Sequence, residues 1–268
     1  MRMEKMIRQL ESVRRDGSNK VFSMYLNTDP SDPEQQGGKW RLQLKNGMRN
    51  FEEYLQQDSD KEELRNFQQV KRQVEKFMGE HEQHLQRGVI LFATADEEVW
   101  YADCIQVRVK TEFYWKETAE LAQLENILHD YPKAGIILVQ KNEIKVIEAN
   151  LNRVENTWQF EFDLDKENWH VKQSTTKVGQ AASAKQKAGI KKDNFEAKFK
   201  ANLQRWYKSI APKLDRLAKD NEWEKTYIMG EKDISSELKN QMHHNVEAII
   251  HKNVLELDES RVLQEVFG

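Results

Sequence analysis

The stretch Ala134-Gly135-Ile136-Ile137-Leu138-Val139-Gln140 constrains this chain more than any other. A strand apolar on both of its alternating faces is a buried strand, of the kind found inside α/β sheets covered on both sides. The sequence around it supplies the covering elements. Lys141-Asn142-Glu143 reads as a tight turn, and 144–151 returns as a hairpin partner. Residues 157–164 place Trp158, Phe160, Phe162 and Leu164 at period two, the pattern of a half-buried strand. Downstream, Phe195, Phe199, Leu203, Trp206, Ile210, Leu214 and Leu217 recur three or four apart, which predicts an amphipathic helix. Pro212 removes the amide that would bond Lys208, so a kink or split is expected there. A strand over 226–229, a helix over 234–242, a strand over 246–250 and a helix over 259–266 complete the order. Strands alternating with helices imply a sheet that is parallel in part.

Upstream of Tyr131-Pro132 the pattern is separate. Residues 4–15 carry Met6, Ile7, Leu10 and Val13 at helical spacing, and 21–26 read as a buried strand. Thr28-Asp29-Pro30-Ser31-Asp32-Pro33 is a loop, since proline disfavours a helical residue before it. Helices are predicted over 39–57 and 60–84, a strand over 88–95, one or two strands within 100–109, and a helix over 117–129. The expectation is therefore an α/β protein of two domains, 1–131 and 132–268, with mixed sheets flanked by helices. The second domain is expected to be an α/β fold that carries a long basic loop and helix.

Composition removes several classes. The 11 Phe, 7 Trp and 7 Tyr among 268 residues argue against wholesale disorder. The single Cys104 excludes a disulfide framework and a cysteine zinc cluster. No apolar stretch approaches the roughly 20 residues that span a bilayer, and 1–17 lacks the continuous apolar core of a signal peptide. A cytoplasmic protein without a membrane partner is expected. Net charge is -3, yet 172–213 holds eleven Lys/Arg against Asp193 and Glu196, leaving -12 for the remainder. A +9 segment on an otherwise acidic chain is either a solvated helix face with its loop or the footprint of a polyanion.

Familiar sites are missing. The sequence has neither a Gly-rich dinucleotide fingerprint nor a phosphate loop, so no cofactor is expected. His81 and His84 share a helical face without a third ligand, and His243, His244 and His251 make no set either. Asp29 and Asp32 read as turn-formers beside proline. The interesting segment lies within 165–190, where apolar periodicity almost vanishes and a polar loop of about 25 residues is expected; loops this long in compact domains are usually functional or disordered. It contains Lys177-Val178-Gly179-Gln180 followed by Ala181-Ala182-Ser183-Ala184-Lys185. Gly179 can take a positive φ and the small residues allow close approach to a ligand. The Gln180 amide can position a water or a ribose hydroxyl, having donors and an acceptor but no proton to exchange. Lys177, Lys185, Lys187, Lys191 and Lys192, with Lys198 and Arg205 on the following helix, could hold phosphates as positioning contacts. A plain linker with an incidental glutamine remains the alternative on composition alone.

Three stretches resemble the archaeal/eukaryotic-type class I release factor superfamily, in its bacterial branch and its Vms-like release-factor domains. Phe22-Ser23-Met24-Tyr25-Leu26-Asn27-Thr28 looks like the first strand of the N-terminal domain. Gly135-Ile136-Ile137-Leu138-Val139 through Val146-Ile147-Glu148 looks like the opening hairpin of the middle domain. Val178-Gly179-Gln180, a basic helix, then Tyr227-Ile228-Met229-Gly230 follow that domain's remaining order. The resemblance implies a Gly-Gly-Gln loop that enters the peptidyl-transferase centre, its glutamine positioning a nucleophile against the peptidyl-tRNA ester, or, in Vms-like members, cleavage of tRNA near its acceptor end. Gly179 and Gln180 match the last two positions of that triplet; Val178 stands where the first glycine would be, and its β-branch restricts the backbone. The third domain of full-length factors does not follow, so stop-codon reading is not expected. Three readings stay open: a ribosome- and tRNA-binding rescue factor acting through Gln180, a non-catalytic ribosome-associated factor, and a structural adaptor working through the helices of 39–84.

Overall fold

The computed structural model describes residues 2–57, 60–163, 168–175, 192–252 and 257–268, with side chains described at 6–57, 60–162, 203–252 and 257–268. The chain divides into two compact units, Met1–Asp130 and Tyr131–Gly268.

In the first unit, α1 (Arg2–Ser12) precedes β1 (Val21–Asn27), followed by the long helices α2 (Trp40–Gln57) and α3 (Lys61–His81). β2 (Gly88–Ala93), β3 (Trp100–Ile105), β4 (Glu112–Lys116) and α4 (Ala122–Asp130) complete it. The sheet order is β3-β2-β1-β4 and every pairing is antiparallel. Phe22, Met24 and Leu26 of β1, with Val89 and Leu91 of β2, meet Leu44, Met48, Phe67, Val70 and Val74 of the two helices in one core. The helical spacing of those residues is what turns one stripe of each helix onto the sheet. Asp60 caps α3, its carboxylate accepting from the Glu62 amide at 2.9 Å and the Glu63 amide at 3.1 Å, which occupies donors a helix start otherwise leaves bare. The Glu63 carboxylate then accepts from Trp115 Nε1 and pairs with Lys20, both at 2.8 Å. On the other face of β1, the Tyr25 hydroxyl donates to the Glu120 carbonyl at 2.8 Å. Cys104 on β3 is half-buried, and burial, with Asp103 beside it, pushes its thiol up to about 11.

In the second unit, β5 (Ala134–Val139), β6 (Glu143–Asn150), β7 (Arg153–Asp163) and β8 (Asn168–Thr175) form an antiparallel run. Leu151 and Asn152 join β6 to β7 with φ of 48° and 57°, the left-handed pair that suits the twist of a two-residue hairpin. α5 (Lys192–Asp220) leads to β9 (Lys225–Gly230), then α6 (Lys232–Gln241), β10 (Ala248–Ile250) and α7 (Glu259–Phe267). The order is β10-β9-β5-β6-β7-β8, with β5, β9 and β10 mutually parallel. β5 is covered on both faces: Ile137 and Val139 join α5 and α6, while Ala134, Ile136 and Leu138 join Val262 and Leu263 of α7. This mixed α/β architecture, two sheets flanked by helices, is the one the strand–helix alternation implies.

Three local expectations differ from the structure. β4 falls where none was assigned; its Glu112, Tyr114 and Lys116 interleave polar groups with aromatics and blunt the apolar signal. The polar loop expected from 165 does not begin there, because 168–175 is β8, with Trp169 opposite Phe162 and Val171 opposite Phe160. An edge strand needs apolar residues on only one face, and two of them give too short a period to read. Finally, α5 continues through Pro212 as one helix. Pro212 is solvent-exposed, so the Lys208 carbonyl that loses its amide partner can turn to water.

Candidate nucleic-acid interface

The basic segment is built on the β8–α5 connection. β8 ends at Thr175, level with Thr157 of β7, and α5 begins at Lys192. Lys177, Gly179, Gln180, Lys185, Lys187 and Lys191 lie outside the described residues. Lys192 and Lys198 sit in the first two turns of α5. Arg205, further along the helix, is exposed.

From there α5 is held firmly. Trp206, Tyr207, Ile210, Leu214, Leu217 and Ala218 are buried against the sheet, at about 1.5–3 kcal/mol for each large side chain. The Trp206 ring stacks on Phe162 at 5.5 Å, and the Tyr207 hydroxyl donates to the Gln140 carbonyl at 3.3 Å. Burial, with Glu237 and Glu231 nearby, pushes the Tyr207 phenol well above its ordinary range. After the helix, Trp223 lies across β5 where a Cβ on Gly135 would come within 2.0 Å of the indole. Glycine is required there by space rather than by conformation.

Opposite this apolar stripe, Arg205, Lys208, Pro212, Arg216 and Lys219 recur three or four residues apart and are exposed. The four cations among them, Arg205, Lys208, Arg216 and Lys219, form a basic row on one side of α5. Asp215, the acid within this span, has its carboxylate occupied, accepting from the His243 amide at 3.0 Å and the His244 amide at 2.9 Å. The sequence reading named Arg205 but stopped short of Arg216 and Lys219, which the helix period alone could have added.

At the opposite ends of β5 and β9 from Trp223, a cleft of about 280 Å³ is lined by Val139, Gln140, Lys141, Asn142, Glu231 and Ile234. Crevices at the carboxyl ends of parallel strands commonly take ligands, but Lys141 and Glu231 offset each other here and no convergent polar set marks a substrate. Among the described residues there is no cluster of three or more groups suited to a metal ion. No described helix is long and apolar enough to cross a membrane. His81 stacks on Phe77 at 4.2 Å and its Nδ1 contacts the Phe77 carbonyl at 2.9 Å, within its own helix.

The first unit carries a second polar constellation. Asp29, at 1% exposure, has Oδ1 accepting from the Ser31 amide at 2.9 Å and hydroxyl at 2.6 Å. Its Oδ2 accepts from Arg87 Nε at 2.9 Å and from Arg108 Nε at 3.0 Å and Nη2 at 2.9 Å. Asp32 accepts from Asn27 Nδ2 at 2.8 Å and caps the Glu34 amide at 2.9 Å. Both aspartates do form the turn expected of them. Burial alone would raise the Asp29 carboxyl, but the Ser31 bonds and the two guanidiniums outweigh it and hold it well below the usual carboxylate range. The participation of Arg87 and Arg108, 58 and 79 residues away, left no signal in the sequence.

The second unit is an open mixed sheet with helices on both faces, and the basic helix α5 follows the Gln180-bearing segment in sequence. The chain belongs to the bacterial archaeo-eukaryotic release factor family 5, whose model matches residues 132–268. It is similar along its whole length to a Bacillus subtilis (strain 168) protein described as "Uncharacterized protein YocB", with 32% identity over 266 residues, 99% of this chain and 98% of the relative. Two solved structures are more distant. An archaeal translation termination factor, aRF1, has 13% identity and a TM-score of 0.34, covering 98% of this chain and 72% of the other. One described as "Archaeal protein" has 12% identity and a TM-score of 0.33 over the same shares.

Proposed function

We propose that this protein binds the ribosome and tRNA in the cytoplasm and acts in translational rescue, hydrolysing or cleaving stalled peptidyl-tRNA. In this reading 132–268 is the acting domain, and 1–131 is a separate domain. The segment around Gly179 and Gln180 faces the tRNA acceptor end, with Gln180 orienting the attacking group rather than exchanging its proton. Lys177, Lys185, Lys187, Lys191, Lys192, Lys198 and Arg205 contact phosphates. The observation that carries this reading is that the family match spans the Gly179-Gln180 segment and the basic helix after it. Release of peptide or of cleaved tRNA from a stalled peptidyl-tRNA–ribosome complex tests it, comparing wild type with Gln180→Ala. Activity in the wild type that drops at least a hundredfold in the variant supports the enzymatic role; equal activity, or none in either, sinks it.

Val178 favours a second reading. A β-branched residue at the first position of the triplet narrows the backbone geometry available to the loop. A ribosome-associated factor without hydrolysis, acting in hibernation or quality control, keeps the basic surface and drops the chemistry. It predicts co-sedimentation with ribosomes that is untouched by Gln180→Ala and abolished when the lysines are neutralised.

A further inference from the structure

We propose that Arg87 and Arg108 form a second binding site, on the first unit, for a phosphate-type oxyanion. The two guanidiniums converge on one carboxylate oxygen, Asp29 Oδ2, from two separate loops: Arg87 immediately precedes β2 and Arg108 lies between β3 and β4. The Arg87 backbone is fixed as well. The Arg87 amide donates to the Ile105 carbonyl at 3.1 Å, and the Arg87 carbonyl accepts from the Thr28 amide at 3.2 Å. The Thr28 hydroxyl donates to the Gln86 carbonyl at 2.9 Å. Asp29 therefore holds two arginine side chains in set positions before any ligand arrives.

Asp29 leaves much of their hydrogen-bonding capacity unused. Arg87 engages it through Nε, and Arg108 through Nε and Nη2. Among the described residues, Arg87 Nη1 and Nη2 and Arg108 Nη1 make no hydrogen bond, and the side chains are 39% and 46% exposed. Asp32 does not close the site, standing 3.8 Å from Arg108 with its oxygens committed to Asn27 and Glu34. A carboxylate with no room for a further donor, faced by two guanidiniums with N–H groups to spare, suits an oxyanion with several acceptor oxygens. The planar fork of arginine matches phosphate with two parallel bonds. Asp29 and Asp32 cancel the two positive charges, so attraction here is short-range and directional. A site that served only to pin the loop would present no preference for such a ligand.

The source is either a free phosphate or a phosphodiester of RNA, and one experiment separates them. The Nε–Hε signals of Arg87 and Arg108 are followed by 1H–15N NMR in the full chain, during titration with inorganic phosphate and, separately, with a single-stranded RNA hexamer lacking terminal phosphate. Saturable shifts of both signals are expected, with affinity at least tenfold weaker in Arg108→Lys, which keeps a cation at Asp29 but loses the fork. Arg87→Lys serves in its place should that variant unfold. Tighter binding of phosphate assigns a small ligand; tighter binding of the hexamer assigns RNA. Neutralising Lys208, Arg216 and Lys219 leaves the phosphate affinity unchanged, so failure of the α5 surface and failure of this site are read separately. No saturable shift with either probe, or equal affinity in both lysine variants and wild type, overturns the proposal.

Discussion

The two arginine-bearing regions present positive charge in opposite ways. On the first unit, Arg87 and Arg108 are locked to a buried aspartate and their charge is balanced on the spot. On α5, the exposed Arg205, Lys208, Arg216 and Lys219 form a row along the helix, and the Asp215 carboxylate within that span is occupied by the His243 and His244 amides. The first arrangement selects by direction over a few ångströms. A row of the second kind attracts polyanions by field, weakly by shape, over a distance set by salt. The lesson is that charge count alone says little about partners: what matters is whether the fold has already answered each cation.

The widest separation between these regions is expected in salt dependence. Binding of single-stranded RNA to the full chain, read by fluorescence anisotropy, should weaken about a thousandfold between 50 and 200 mM salt. Replacing Lys208, Arg216 and Lys219 with glutamine should lower the log–log slope by about two; an unchanged slope would remove α5 from the interface. Stability responds the other way. Asp29→Asn should cost about 3 kcal/mol in urea unfolding, because two guanidiniums lose a buried partner, though their exposed ends rehydrate in part. It should leave the α5 salt slope alone.

Acid should act on the same aspartate. A carboxyl depressed on folding contributes stability above its unfolded value, about 3.9, and that contribution is lost as pH falls from there through the lower folded value. Wild type should therefore lose stability below about pH 4 more steeply than Asp29→Asn; parallel acid curves would show that Asp29 is not the group responsible. Gly135→Ala should destabilise by about 2 kcal/mol, since Trp223 must shift to admit a methyl group. The smallest effect belongs to Tyr207→Phe, about 0.5–1 kcal/mol for one long hydrogen bond to Gln140. A larger loss would mean the hydroxyl does more than anchor α5.

Legibility in the sequence followed periodicity. β5 announced itself because both faces are apolar, and α2, α3 and α5 because their buried residues recur at the helical repeat. β8 and β4 were missed because edge strands carry one apolar face interrupted by polar residues. The split that Pro212 suggests does not occur, because the residue sits on a wet face where the freed Lys208 carbonyl can turn to water. The basic segment was visible as composition, and its continuation along α5 follows from the helix period. The Asp29 constellation was half visible: the turn lies in Asp-Pro-Ser-Asp-Pro, whereas its arginines come from distant loops that only the sheet order β3-β2-β1-β4 brings to it.

Cys104 has a practical corollary. With its thiol held near 11, the reactive anion at neutral pH is about two orders of magnitude scarcer than for an ordinary cysteine. A single cysteine placed at an exposed α5 position such as Lys208 would take up a maleimide dye first, without deleting the native sulfur. The chain thus comes ready for one-site labelling, and a fluorophore on that helix could follow its approach to a ribosome in real time.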